Sequence, residues 1–75
     1  MPNMKPVKSI LIESIGYQGS TAEPELPKLF VKFKKGGTYV YSGVPRETYD
    51  ALLHADSVGY YFLRNIKGKF DCVKR

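Results

Sequence analysis

The chain has 75 residues, with 12 Lys and Arg against 7 Asp and Glu, one His and one Cys, for a net charge of +5. A chain this short folds as one domain around one thin core and leaves no room for a deep catalytic cleft, and a single Cys excludes an internal disulfide framework. No apolar run approaches the roughly 20 residues that span a bilayer, and the polar residues 1–9, broken by Pro2 and Pro6, lack the apolar stretch of a secretory signal, so a cytoplasmic protein is expected.

Residues 1–9 read as a flexible arm carrying Lys5, and residues 10–73 as a single domain. Residues 10–17 are β-branched and apolar and form the first expected strand; either of its two alternating sets can face inward. Residues 18–27 hold Gly19, Pro24 and Pro27 and read as a loop, because proline removes a backbone donor and fixes φ. In residues 28–34, Leu29, Val31 and Phe33 alternate with Phe30, Lys32 and Lys34, the period of a half-buried strand. Lys35-Gly36-Gly37 reads as a turn, since glycine accepts positive φ, and residues 38–42 complete an antiparallel hairpin.

The period then changes. Residues 44–55 have a helical pattern, with Pro45 suited to the first position and Tyr49, Leu52 and Leu53 on one face. Asp56-Ser57 can cap a second helix over residues 58–66, with Val58, Tyr61, Phe62 and Ile66 at helical spacing and Gly68 as its stop. Residues 70–73 are either a short fourth strand or a docked tail. The expected fold is α+β: a three-stranded antiparallel β-meander followed by two short helices that cover one sheet face. Its core draws on Ile10, Ile12, Ile15, Leu29, Val31, Phe33, Val40, Leu52, Leu53, Phe62 and Ile66.

Enzyme chemistry finds little support. His54 and Cys72 are the only His and Cys, and nothing in their spacing brings them together, whereas a nucleophile needs its base within hydrogen-bond reach. A structural zinc site needs four ligands. No catalytic residue, metal or cofactor is therefore expected. Cys72 suits a reducing compartment as a small apolar filler or an incidental surface thiol. Gly36-Gly37 is a hairpin turn and not a phosphate loop, since no Gly-Lys-Ser/Thr follows.

Binding chemistry has more candidates. Tyr39 and Tyr41 are two apart and share a sheet face. If Val40 packs under the helices with Val31 and Phe33, both tyrosines face away beside Phe30. With Lys32 and Lys34 at the edge, that face would stack RNA bases. Alternatively, the rings pack against the tail or the second helix. The cations fall into three groups: Lys5 and Lys8; Lys28, Lys32, Lys34 and Lys35; and Arg64, Lys67, Lys69, Lys74 and Arg75. They form a solvated surface, a phosphate-binding surface or a match for an acidic protein patch. An outward Tyr60 beside Arg64 has the makings of a protein-interface anchor.

The ordered residues carry a resemblance. Ile15-Gly16-Tyr17 and Leu29-x-Val31-x-Phe33-x-x-Gly36-Gly37-x-Tyr39-x-Tyr41 are similar to the first half of the KTSC domain, whose hallmark is the central Tyr-x-Tyr. Gly43-Val44-Pro45-x-x-x-Tyr49-x-x-Leu52-x-x-Ala55-x-Ser57-x-Gly59-x-Tyr61-Phe62-x-x-x-Ile66 resembles the second half. The name refers to the C-terminus of lysyl-tRNA synthetases, to some of which the domain is appended. It also occurs as a stand-alone bacterial or phage protein. The resemblance implies a small non-enzymatic module, for which RNA binding is suggested, and a stand-alone phage regulator of this pattern binds host RNA polymerase. On that basis the expected partner is bacterial RNA polymerase, with Lys5, Tyr60, Arg64, Lys67 and Lys69 as contacts and steric blocking as the mechanism. RNA binding through Phe30, Lys32, Lys34, Tyr39 and Tyr41 is the alternative. The loop at 18–27 exceeds the family's shorter turn, and a monomer is expected.

Overall fold

The computed structural model describes residues 3–19 and 26–75. In chain order the elements are β1 (Lys5–Pro6), β2 (Ile12–Gln18), β3 (Lys28–Phe33), β4 (Gly37–Ser42), α1 (Arg46–Leu53), α2 (Val58–Asn65) and β5 (Asp71–Lys74). The strands form one antiparallel sheet in the order β1-β2-β3-β4-β5. The α+β class and the two helices agree with the sequence reading, but the sheet has five strands: the three of the expected meander, the C-terminal strand offered as one reading of residues 70–73, and an N-terminal strand that was not expected. Lys5 and Pro6, expected in a loose arm, pair with Ile15 and Ser14. The C-terminal segment completes the other edge by pairing with β4. Most of the expected loop at 18–27, residues 20–25, lies outside the described residues.

Two local irregularities decide which side chains reach the core. Strand pairing shifts register between Ile12 and Ser14. The extra residue of such a bulge resets the alternation, so Ile12 and Ile15 are both fully buried although they are three apart. Just before it, the Ser9 Oγ accepts the backbone N–H groups of Leu11 and Ile12, each at 3.1 Å. This tight turn throws Ile10 outward. Ile10 was expected in the core and is 98 % exposed instead.

The second irregularity is the hairpin. Its loop is residues 34–36, one position earlier than expected, with Gly36 and Gly37 both at positive φ. A loop of that length pairs odd residues with odd ones and even with even: Val31 faces Tyr39, Leu29 faces Tyr41 and Phe30 faces Val40. Opposed residues share a sheet face. Tyr39 and Tyr41 therefore lie with Val31 under the helices, whereas Val40 and Phe30 lie on the far face. The expected placement of Val40 beneath the helices is thus reversed.

The helices close the inner face. Pro45 stands at the N-cap of α1, and its carbonyl accepts from Thr48 and Tyr49. Ser57 caps α2, its side chain accepting the Tyr60 N–H at 3.3 Å. Tyr49 and Leu52 of α1, with Val58 and Phe62 of α2, pack onto Ile12, Ile15, Leu29, Val31 and Tyr41. Phe62 sits at the centre, edge-on to Phe33 at 5.4 Å and to Tyr41 at 5.5 Å. Each fully buried side chain of this kind stabilises the fold by roughly 1.5–3 kcal/mol. Phe33 and Leu53 are only partly buried at the margin of this core.

Candidate functional site

Of the two readings of Tyr39 and Tyr41, the structure shows the packed one: Tyr41 lies against Phe62 of the second helix and beside Cys72 of the tail, and the alternative stacking face is not formed among the described residues. Tyr41 is only 5 % exposed, and burial, with Cys72 beside it, pushes its pKa up to about 12. Tyr39 is half-buried, edge-on to Phe33 at 5.5 Å. Phe30 occupies the opposite sheet face, nearly buried, with the Arg75 guanidinium 5.8 Å above its ring. Lys32 lies on that face as well, paired with Glu13 at 3.1 Å. Of the five residues, only Lys34 stands free at the hairpin tip, so the set makes no joint stacking surface.

The proposed partner contacts divide too. Tyr60 and Arg64 are one turn apart on α2, with the Arg64 guanidinium 5.5 Å over the Tyr60 ring and donating to its hydroxyl at 3.1 Å. Lys5 lies on β1, one edge of the sheet, whereas Lys67 and Lys69 belong to the connection leading into β5, the other edge. Those edges are four strand spacings apart, about 19 Å. The five residues are therefore not one patch.

The structure instead assembles a groove around Tyr60. The Ser9 turn and α2 approach so closely that a Cβ on Gly59 would meet Ser9 Oγ at 3.1 Å and Leu11 Cβ at 3.6 Å. The Lys34 N–H donates to the Leu11 carbonyl at 3.1 Å and holds the hairpin tip beside this contact. Between them runs an apolar-floored groove of about 880 Å³, lined by Ile10, Leu11, Tyr60 and Leu63, with Lys8, Lys34 and Asp56 at its edges. Tyr60 and Leu63 are 61 % and 48 % exposed. A smaller depression of about 400 Å³ shares Tyr60 with the groove and is lined by Ala51 and Ala55 of the α1–α2 corner. Neither Lys8 nor Lys34 makes an ion pair among the described residues, where the pairs are Lys32–Glu13 and Arg46–Asp50.

Of the groove residues, the sequence reading named Tyr60, Lys34 and, among the cations, Lys8, and missed Leu63 and the outward Ile10. One signal was present. Ile10, Leu11 and Ile12 are consecutive, and a strand cannot bury three in a row on one face.

Other candidates resolve as structure. Tyr17 stacks on Tyr49 at 5.1 Å and donates to the Val44 carbonyl at 2.7 Å. Burial raises its pKa, partly opposed by the Arg46 guanidinium that caps both rings. His54 Nδ1 lies 2.9 Å from the Asp50 carbonyl of its own helix. Cys72 is an exposed free thiol on β5.

The KTSC domain family model matches residues 8–70, which takes in the whole groove and both helices. The chain belongs to the KTSC domain family. A crystal structure of a KTSC domain protein from Yersinia pestis is 39 % identical, covers 100 % of this chain and 99 % of its own, and superposes with a TM-score of 0.88. A protein of Tsukamurella paurometabola is 39 % identical over 93 % of this chain and 97 % of its own. A protein of Stutzerimonas stutzeri is 41 % identical over 75 % of this chain and 72 % of its own. The names of these bacterial relatives state no activity, and they lend no support to a phage or synthetase link. No helix among the described residues of this KTSC domain is long and apolar enough to cross a membrane.

Proposed function

We propose that this KTSC domain is a non-enzymatic protein-binding module that seats an acidic segment with apolar anchor residues in the groove between the Ser9 turn and α2. The observation that carries this reading is Ile10, held 98 % exposed by a two-bond serine turn, facing exposed Tyr60 and Leu63 across the groove. Isolated surface apolar residues are ordinary, but a contiguous apolar groove with a polar rim fits a partner. The apolar floor supplies burial. Lys8 and Lys34, without ion pairs among the described residues, favour carboxylates at the rim. Tyr60, stiffened by Arg64, has the composition common at interface hot spots.

Occupancy of this groove would regulate sterically, by covering a partner surface that another factor needs. The resemblance makes bacterial RNA polymerase the first partner to test, and transcription the process affected. The test titrates fluorescently labelled protein with purified polymerase. Micromolar binding that weakens at least about tenfold in Ile10→Asp, a loss of about 1.4 kcal/mol, supports the polymerase reading. Equal binding by wild type and Ile10→Asp rejects the groove as the contact. RNA binding remains the alternative, resting on the basic surface alone. It predicts polymerase-independent binding that falls steeply with salt.

A further inference from the structure

Among the described residues, no further strand pairs with the β5 edge of the sheet. β5 pairs with β4 on one side, and all of its residues are exposed. The Arg75 N–H donates to the Thr38 carbonyl at 2.8 Å. In an antiparallel ladder, hydrogen-bonded pairs alternate with non-bonded ones. The backbone groups of Asp71, Val73 and Arg75 are therefore spent on β4, whereas those of Cys72 and Lys74 point away from the sheet. Asp71, Val73 and Arg75 also share the face opposite the helices, because Val73 faces Val40. Val73 is 66 % exposed there. Neither Asp71 nor Arg75 makes an ion pair among the described residues.

We propose that β5 pairs antiparallel with β5 of a second copy, in the register that sets Val73 opposite Val73 of that copy. Three constraints select this arrangement. A closed two-fold dimer needs a residue that faces its own copy. The outward backbone groups of Cys72 and Lys74 must form the new bonds. The side chains must also match. Centring on Lys74 would oppose two lysines. Centring on Cys72 would place Asp71 against Val73 of the second copy. Centring on Val73 places Asp71 opposite Arg75 at both ends, packs the two valines on the axis, and pairs Cys72 with Lys74 through mutual backbone bonds. Edge lysines usually discourage such pairing, but in this register each Lys74 directly faces Cys72, and the two lysines are held about 8 Å apart on the diagonal. The two five-stranded sheets become continuous, and the expected monomer becomes a concentration-dependent dimer. This surface is separate from the groove, so the two proposals succeed or fail independently.

Cysteine trapping tests the register. Residues opposed in a non-bonded pair have Cα atoms about 4.5 Å apart, within disulfide reach, whereas Cys72 would lie about 8 Å from its copy, beyond it. Val73→Cys in a Cys72→Ser background should form a covalent dimer under mild oxidation at least about tenfold faster than Glu47→Cys in the same background, a control for random collision. Wild-type Cys72 should react no faster than that control. Asp71→Arg should slow trapping of the Val73→Cys protein to the control rate, and adding Arg75→Asp should restore it. Trapping of Val73→Cys at the control rate, faster trapping through Cys72, or no rescue by the charge swap would overturn the proposal.

Discussion

Tyr41 separates the two roles that the central Tyr-x-Tyr can play. If the ring were an exposed stacking surface, Tyr41→Ala would cost binding and leave stability nearly intact. The structure buries it against Phe62, with ring centroids 5.5 Å apart, and leaves 5 % of its surface exposed. Truncating a buried aromatic to Ala costs roughly 3–5 kcal/mol. A domain of this size has a total stability of only about 4–11 kcal/mol. At about 4–8 °C per kcal/mol, thermal denaturation followed by circular dichroism should show a midpoint at least about 12 °C below wild type, or no folded baseline. Tyr41→Phe keeps the ring and should retain most of that stability. It should also change the alkaline limb of the stability curve. The folded pKa is raised, from an ordinary value near 10 to about 12. The unfolded chain thus releases the proton first, and wild-type stability is full below pH 10 and falls as pH rises through 12. The loss is at most about 3 kcal/mol, and Tyr41→Phe should lack it. A Tyr41→Ala protein melting within 2–3 °C of wild type, roughly the effect of an ordinary surface substitution, would refute the inward placement.

Ser57→Ala should destabilise by about 0.5–2 kcal/mol in chemical denaturation, because it removes the α2 cap and leaves the Tyr60 N–H without its partner. Gly59→Ala would stabilise an unconstrained helix by about 0.8–1 kcal/mol. Here the new Cβ meets Ser9 Oγ at 3.1 Å, an oxygen pinned by two backbone N–H groups. That gain should be absent and the midpoint should fall, while a rise of the full propensity gain would show that the Ser9 turn yields. Ile10→Asp should leave the denaturation midpoint within about 0.5 kcal/mol of wild type, since the side chain is exposed in the free protein. A larger loss would mean that Ile10 packs on something in the free chain.

The elements themselves were legible because their signals are local. The hairpin glycines, the Ser57 cap and the helical spacing of Val58 and Phe62 act within a few residues and lie where expected. The facing of the strands was harder to read, since it depends on parity. The bulge between Ile12 and Ser14 shifts the inward set by one residue, and no side chain in it announces the shift. The hairpin parity was available in principle. A three-residue turn such as Lys35-Gly36-Gly37 already pairs odd residues with odd ones, which puts Tyr39 and Tyr41 with Val31 and Phe33. The two edge strands carry weaker signals for another reason, so that residues 70–73 read as either a strand or a docked tail and Lys5-Pro6 as part of an arm. Lys5-Pro6 and residues 71–74 are short and polar, and only the neighbouring strand supplies their structure. The groove was the least legible feature. It joins Lys8 and Ile10 to Lys34, Tyr60 and Leu63, which come from three separate stretches of chain.

Whether the groove beside α2 seats a partner protein is decided by immobilising wild type and the Ile10→Asp/Leu63→Asp double variant side by side and challenging both with nuclease-treated bacterial lysate. The bound proteins are identified and then rebound as purified components. A protein, RNA polymerase being the first candidate, should stay on wild type after nuclease, rebind in pure form and be lost from the variant. Identical retention on the two surfaces, or wild-type binding that disappears with nuclease, would contradict a protein partner in the groove.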